Sequence, residues 1–220
     1  MKVCLILEGS YPYVHGGVST WTQGYIEAMP QHEFILWVIG AHHADKGHFV
    51  YHLPPNVTDV HEVFLDDALA TSARKADRRM NEKEMVAVTE LINCGSPDWS
   101  ILFKMFQSGD FTPAGLLMGE QYLRLLTELC RTSYPYTPFS QAFHTSRSML
   151  LPVLYLLNQR VPTADLYHTI CTGYGGLLGV MGNLKYGKPL ILTEHGIYSR
   201  EREEEIIRAN WVLPAFKKSW

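Results

Sequence analysis

Cysteine is scarce in this sequence, which has four cysteines among 220 residues and no C-x-x-C pair. Disulfide-stapled secreted domains and structural zinc sites both need cysteines at closer and more regular spacing. The scattered positions therefore exclude a disulfide framework and a zinc site, and they predict reduced, buried thiols in a cytosolic protein. The four residues are Cys4, Cys94, Cys130 and Cys171.

Long apolar runs are also missing. No stretch approaches the roughly 20 apolar residues that are needed to span a bilayer. The run from Lys2 to Leu7 is too short for the core of a signal peptide, and Glu8 follows it at once. We therefore expect a cytoplasmic protein, which a partner can still hold at the inner face of the cell membrane.

The sequence has no excess of positive charge. Its formal net charge is -3, which argues against a general nucleic-acid binder. Metal-ligand clusters are lacking as well: His42, His43 and His48 share one loop without a further ligand at metal spacing, so we expect a solvated loop and no metal site. With 46% hydrophobic residues, the chain suits one large α/β domain with a sizeable core.

The opening of the chain is typical of an α/β nucleotide-handling domain. Lys2 to Leu7 predicts a buried parallel strand, Glu8 to Ser19 a turn, and Val18 to Met29 a helix. Within the turn, Gly16 and Gly17 allow the backbone to take positive φ and to approach a ligand closely. The free N–H groups at the start of the helix then point at any anion bound there.

The helix after this turn has an apolar stripe and two hydroxyl residues near its start. Ser19 and Thr20 are expected either to cap the helix or to contact a ligand. Pro30 ends the helix, and a second strand is predicted from Glu33 to Gly40. The stripe consists of Val18, Trp21, Tyr25, Ile26 and Met29.

A long helical region interrupts the α/β pattern. Strands are predicted at Phe49 to Leu53 and at Thr58 to Phe64, but no strand signal appears between residues 70 and 158. We interpret residues 68–158 as a helical insertion whose default role is packing. Its helices are predicted from Ala68 to Asn93, within 94–112, from Pro113 to Thr132, and from Ser140 to Leu157.

The α/β pattern then returns with two strands and two helices. Gly187 is expected to stop the glycine-rich helix, and Ser199 to cap the charged one. The whole chain thus predicts a Rossmann-like parallel sheet flanked by helices, with a helical insertion. These last elements are predicted at Ala164 to Cys171, Gly173 to Tyr186, Pro189 to Thr193, and Ser199 to Asn210.

Three predicted loops lie beyond the carboxyl ends of strands, where open parallel sheets bind their ligands. They are Gly9–Val18, Thr172–Gly176 and Glu194–Ile197. A histidine there can act as a general base or hold a phosphate or hydroxyl, and Glu194 can orient it or bind a sugar hydroxyl. The loops are expected to bring together His15, Gly16, Gly17, His168, Tyr174, Glu194 and His195.

The members of this set differ in how well packing alone explains them. His168 stands inside a strand, which favours a core histidine with satisfied hydrogen bonds over a functional one. Tyr174 is equally interpreted as a packing aromatic. His195 lies just past a strand end, beside Gly196, and is the residue that we favour as functional.

One motif indicates a different function. Gly173-x-Gly175-x-x-x-Gly179 follows a strand and opens a helix, and Glu194 lies about 20 residues further on, as in a dinucleotide fingerprint. An NAD(P)-binding domain is therefore an alternative. Against it, the motif comes late in the chain, and close packing between helix and sheet explains the small residues equally well.

Three stretches together carry a resemblance to a known family. They are LILEGSYPYVHGGVSTW (5–21), LYHTICTGYGGLLG (166–179) and ILTEHGIYSRERE (191–203). With them, essentially the whole chain resembles the N-terminal half of a GT-B glycosyltransferase of the retaining, family-4 type, closest to members that synthesise exopolysaccharides.

The resemblance implies a donor, an acceptor and site residues. Gly16, Gly17 and Val18 would lie in the interdomain cleft beside the donor diphosphate and the acceptor, and His195 near the reacting sugar. The donor would be a nucleotide diphosphate sugar, UDP-glucose being expected, without a tightly bound metal or cofactor, and the acceptor a growing exopolysaccharide. We take His195 and Glu194 as candidate catalytic residues. The candidate substrate-binding residues are Gly16, Gly17, Val18, Ser19, His168 and Tyr174.

The resemblance also places the donor-binding second domain outside these 220 residues. We therefore expect this chain alone to fold but to be inactive or nearly so, because the cations for the leaving group would come from that domain. The end at Trp220 is expected to be a fragment boundary. The resemblance implies that the second domain carries a Glu-x7-Glu motif. The same spacing occurs here at Glu82/Glu90 and Glu120/Glu128, but both pairs fall in the helical insertion and are attributed to chance. The second alternative function is a non-enzymatic module that docks on a membrane-bound polysaccharide synthase complex.

Overall fold

The strands of the described residues form one parallel β-sheet of five strands. The structure, a computed structural model, describes residues 1–70, 78–214 and 216–217. All strand pairs are parallel, and the strand order is β3-β2-β1-β4-β5, which confirms the predicted Rossmann-like α/β class. The strands are β1 (Lys2–Glu8), β2 (Glu33–Gly40), β3 (Val57–Phe64), β4 (Leu166–Thr169) and β5 (Leu190–Leu192).

The chain divides into two compact units. The sheet unit comprises Met1–Leu69 and Arg160–Tyr198, and the helical unit comprises Ala70–Gln159 and Ser199–Trp220. The region predicted as a helical insertion makes up most of the helical unit, whose described residues form helices and no strand. The helices are α1 (Gly17–Glu27), α2 (Asp67–Ala70), α3 (Glu82–Ile92), α4 (Trp99–Gln107), α5 (Pro113–Leu117), α6 (Glu120–Ser133), α7 (Phe139–Leu157), α8 (Gly173–Tyr186) and α9 (Tyr198–Arg208).

The first strand is buried on both of its faces. Val3, Leu5 and Leu7 share a core cluster with Ile26 of α1. Ile6 faces the other way and lies against Gly175 and Gly179 of α8. Because successive side chains of a strand point to opposite faces, a strand covered by helices on both sides needs an unbroken apolar run.

Replacing Gly182 by alanine is expected to destabilise the sheet unit by about 1–3 kcal/mol, the usual cost of overpacking a core. The added Cβ would lie 2.5 Å from the ring of Tyr167, which is fully buried and donates its hydroxyl to the Pro162 carbonyl at 2.6 Å. Thermal unfolding measures the change. Gly176→Ala in α8 is the control, because its Cβ would meet only the Cys171 carbonyl, at 3.8 Å. Equal losses in both variants would contradict the packing argument.

The predicted strand at Phe49 to Leu53 is wrong. This segment is irregular and covers the turn after β1, with Val50 donating its N–H to the Pro12 carbonyl at 2.9 Å. Its rings pack on the rings of the turn: Tyr51 on Tyr11 at 5.1 Å between centroids, and Phe49 on Tyr13 at 5.6 Å. The aromatic side chains that suggested a strand thus serve tertiary contacts.

Two long helices predicted for the helical unit are shorter than expected. Part of the helix predicted from Ala68 to Asn93, residues 71–77, lies outside the described residues. Residues 78–81 are not helical, because Asn81 begins α3 through a capping box with Glu84. The helix predicted from Pro113 ends at Leu117, and α6 begins after Gly119.

The structure tests three predicted helix ends and the predicted burial of the cysteines. Gly187 stops α8 in the left-handed conformation, at φ 63°, as predicted. Pro113 begins α5, also as predicted. The cap predicted at Ser199 is wrong, since α9 begins at Tyr198. The cysteines are not all buried: Cys94 is exposed.

Two further expectations concern the end of the chain and helices that could span a membrane. The predicted boundary at Trp220 lies outside the described residues. Among the residues described, no helix combines the length and the apolar character needed to cross a membrane.

Candidate functional site

The strand order places the predicted loops at one edge of the sheet. From β1 the chain passes through α1 to β2 on one side, and from β4 it passes through α8 to β5 on the other. The direction therefore reverses between β1 and β4, and such a switch point opens a crevice at the carboxyl ends of the strands. The loops after β1, β4 and β5 lie side by side there.

The glycine pair presents bare backbone to open space. Gly16 and Gly17 are exposed, and a Cβ added to either would meet no atom within 4 Å. Gly16 is extended, at φ 174°, and the positive φ of this turn belongs to Gly9, at 59°. Neither glycine of the pair therefore takes the positive φ that the sequence allows. Packing does not require glycine at either position, so the open space beside the backbone is available to a ligand.

The hydroxyl residues at the start of α1 do not cap it. The N-cap is Gly16, which has no side chain to close the first turn. Ser19 is 2% exposed and belongs to the buried face of the helix, whereas Thr20 is exposed. Val18 is half-buried against the core. Of the predicted contacts in this turn, the backbone of the glycine pair is thus the most accessible.

Two carboxylates occupy the amino-terminal end of α8. Glu8 accepts a hydrogen bond from the Gly175 N–H at 3.1 Å. Glu194 accepts from the Thr172 N–H at 3.2 Å and from the Thr172 hydroxyl. Negative side chains are favoured at a helix N-terminus, where unpaired N–H groups and the helix dipole meet them. The two carboxylates therefore connect the end of β1 and the loop after β5 to the start of α8.

This arrangement disfavours the dinucleotide-binding alternative. A dinucleotide would place its pyrophosphate on the N–H groups that Glu8 and Glu194 already bind. The glycines of the motif have packing reasons instead: Gly173 is at φ 68° beside the ring of Tyr198, and Gly179 faces Leu190. Tyr174, in the first turn of α8, is half-buried.

His195 is exposed and makes a ring contact with α1. Its imidazole meets Trp21 edge-on, at 4.8 Å between centroids and 70° between planes. Trp21 in turn stacks on Tyr25 at 5.0 Å and 14°. The carboxylate of Glu194, which could have oriented this histidine, binds Thr172 instead. The side chain that contacts the His195 ring is that of Trp21.

The apolar stripe predicted on α1 is only partly a core face. The buried residues of the helix are Ser19, Thr22 and Ile26. Trp21 is 37% exposed, and Tyr25 is half-buried. The two rings thus flank the buried face and extend toward the crevice.

His168 is buried and satisfied, which agrees with its interpretation as a core histidine. Its Nδ1 lies 3.1 Å from the Tyr25 hydroxyl, and its Nε2 lies 2.8 Å from the Thr193 hydroxyl. Burial lowers the pKa of His168 and raises the pKa of Tyr25, because both charged forms lose solvation. Both groups are therefore neutral near pH 7.

The remaining candidate groups are arranged as follows. His15 is exposed, and its ring lies 5.0 Å from that of Tyr51. His42, His43 and His48 are exposed, as predicted, although His43–Asp45 form a short 3₁₀ helix within the segment. Within the described ranges, no three His, Cys, Asp or Glu side chains form a group that can hold a metal ion.

The comparison with known families identifies the chain. A family model described as "Domain of unknown function (DUF3492)" matches residues 1–220. The chain belongs to the DUF3492 family. No curated protein and no solved structure matched the chain.

The sequence does not predict the contacts of four residues in this DUF3492 domain: Glu8, Thr193, Trp21 and Tyr25. Glu8 is predicted as the first residue of a turn and Thr193 as the last of a strand, although a polar residue next to an apolar strand is a usable signal. Trp21 and Tyr25 belong to the predicted apolar stripe because their i, i+4 spacing fits one face of a helix. Only the fold shows that this stripe borders the crevice.

Proposed function

We propose that this DUF3492 domain is the acceptor-side half of a retaining GT-B glycosyltransferase of the PelF type. It would move a sugar from a UDP-sugar, UDP-glucose in the first place, to a growing exopolysaccharide. The observation that carries the proposal is the edge of the sheet at the switch point, where the exposed Gly16–Gly17 backbone and the exposed His195 loop flank one crevice.

Each part of this edge has a role in the proposed reaction. The backbone of Gly17 and the start of α1 offer N–H groups and a dipole to the donor diphosphate. His195 lies beside the reacting sugar, where an imidazole can bind a hydroxyl or stabilise developing charge. The contact with Trp21 limits the freedom of the His195 ring. Cations that stabilise the UDP leaving group would come from the donor-binding half of the enzyme.

The family match supports this proposal at a coarser level, since DUF3492 is a domain found in glycosyltransferase-like proteins.

The proposed surroundings are the cytoplasm at the inner face of the cell membrane, with a membrane-bound polysaccharide synthase complex as partner. Co-purification of the full-length protein with a membrane fraction that holds such a complex is the expected result.

The decisive experiment measures UDP release by the full-length protein from a panel of nucleotide sugars, with and without Gly17→Ala. We expect turnover of one UDP-sugar, and a decrease of about a hundredfold in the variant, because a methyl group there would displace a ligand held against the backbone. The fold should be unaffected, since the new Cβ would meet no protein atom within 4 Å.

Gly24→Ala is the matched control on the same helix. It is exposed, its added Cβ also meets nothing within 4 Å, and its position lies nearly two turns from the glycine pair. We expect unchanged turnover and a stability gain of about 0.5–1 kcal/mol from the better helix former. Equal turnover by wild type and Gly17→Ala would show that no ligand binds against the backbone of the glycine turn. A folded protein that turns over no sugar would refute the proposed activity.

A further inference from the structure

His168 belongs to a closed circuit of side-chain contacts in the sheet unit. It stands on β4, paired in register with Leu5 of β1 and Ile191 of β5, and it is 4% exposed. One ring nitrogen meets the Tyr25 hydroxyl, and the other meets the hydroxyl of Thr193, the residue directly after β5. The imidazole thus joins α1 to the beginning of the loop that carries the candidate catalytic histidine.

Two aromatic contacts close the circuit. Tyr25 stacks on Trp21, and Trp21 meets His195. His195 is only two positions after Thr193 in the chain. We call these five side chains the His168 circuit: His168, Tyr25, Trp21, His195 and Thr193.

The chemistry of a buried neutral imidazole suits this connection. Neutral histidine has one donor and one acceptor, and a hydroxyl can serve either of them. Both tautomers of His168 therefore satisfy both bonds with Tyr25 and Thr193. Because an unpaired ring nitrogen in a buried site is costly, the two hydroxyls are held near their observed positions.

We propose that His168 is a positioning residue for His195. By binding Tyr25 and Thr193, it holds Trp21 and the start of the 193–195 segment where the Trp21 and His195 rings meet. This inference rests on the proposed function, in which His195 lies beside the reacting sugar. A group that is already oriented before the sugar arrives loses less freedom in the transition state, so the expected benefit is in kcat.

The hydroxyls allow a test that leaves His168 in place. In the full-length protein, Thr193→Val removes one hydroxyl at nearly constant shape, and Tyr25→Phe removes the other. The first readout is the quenching of Trp21 fluorescence by the His195 ring, which lies 4.8 Å away between centroids. It is measured as the increase in emission that His195→Ala produces and that Trp21→Phe abolishes.

The second readout separates kcat from KM for the UDP-sugar. We expect each variant to reduce the quenching amplitude by at least about half and kcat by about tenfold, which corresponds to ~1.4 kcal/mol in the barrier. The donor KM should change by less than about twofold, because ground-state binding does not use the circuit. A merely structural role of His168 would lower stability and leave both readouts unchanged.

Thr193→Ser is the matched variant, since it keeps the hydroxyl and removes only a methyl group. It is expected to retain both the quenching and kcat. The proposal is overturned if Thr193→Val and Thr193→Ser behave alike in both readouts while both are folded. If the wild type turns over no sugar, the proposed function fails, and the quenching amplitudes alone still decide whether His168 positions His195.

Discussion

Arg78→Ala is expected to lower the free energy of unfolding of the helical unit by about 2 kcal/mol at pH 7, the usual cost of leaving a buried acceptor without its donor. The Arg78 guanidinium binds both carboxylate oxygens of Glu84, at 2.6 and 2.7 Å, and donates to Asp110 at 2.8 Å. The side chain of Glu84 is only 8% exposed, so the variant would leave a buried carboxylate without its cation. Urea unfolding, followed by the fluorescence of Trp99 and Trp211 in the same unit, measures the loss.

The pH dependence of this loss has a definite sign. The hydrogen bonds from Arg78 lower the pKa of Glu84 below its ordinary value of 4.5. A carboxylate with a lowered folded-state pKa stabilises the protein above its unfolded pKa, and this contribution disappears as the pH falls through the folded pKa. The difference between wild type and Arg78→Ala should therefore shrink below about pH 4.5.

Arg79→Ala is the neighbouring control. Its side chain is 79% exposed, and its ion pair with Glu120 spans 3.5 Å at the surface, so the expected loss is at most about 0.5 kcal/mol. A second variant, Arg78→Ala combined with Glu84→Gln, should recover part of the stability because the buried charge is gone. Similar losses for Arg78→Ala and Arg79→Ala would show that the ion pair between Arg78 and Glu84 contributes little to the stability of the helical unit.

His195→Ala is expected to decrease kcat/KM of the full-length protein for its UDP-sugar by about 10²–10³-fold, the usual effect of removing one group that stabilises developing charge. The imidazole is exposed at the crevice and contacts Trp21, so its loss removes a polar group without opening the core. Release of UDP, with kcat and KM determined separately, measures the effect. Thermal unfolding should be nearly unchanged, as is usual for an exposed side chain.

The comparison variant is His144→Ala, which removes an exposed histidine from α7 in the helical unit. It should leave the rate unchanged, because the proposed chemistry lies in the sheet unit. Retention of more than about half of the wild-type kcat/KM by His195→Ala would be far outside the range for such a group. In that case His195 would be a surface residue, and Gly17→Ala would be the remaining probe of the crevice.

Much of the sheet unit could be predicted from local pattern. The apolar run before Glu8 can hardly be anything other than a strand covered on both faces, and the span Glu33–Gly40 agrees with the structure residue for residue. Gly187 marks the end of α8 because a left-handed residue closes that helix. These signals are strong because each depends on the residue and its near neighbours alone.

Predictions failed where a distant contact replaced a local preference. Phe49 and Tyr51 have strand-forming side chains, but they pack on the rings of Tyr13 and Tyr11. The prediction for the helical region failed for a different, local reason: Asn81 and Glu84, three positions apart, begin α3 with a capping box inside the span predicted as one continuous helix. Propensity averages over the environments in which a residue occurs, and the partner across space decides among them.

The amino-acid sequence by itself determined the parallel α/β class, the order of most elements, and the three loops that meet at the carboxyl edge of the sheet, because periodicity and turn residues act over a few positions. Only the tertiary structure decided what the side chains at that edge do. It directs Glu194 to the start of α8, buries His168 between two hydroxyls, and sets Trp21 against His195. Each of these contacts joins residues that lie more than 20 positions apart, and a one-dimensional pattern has no signal for such a distance.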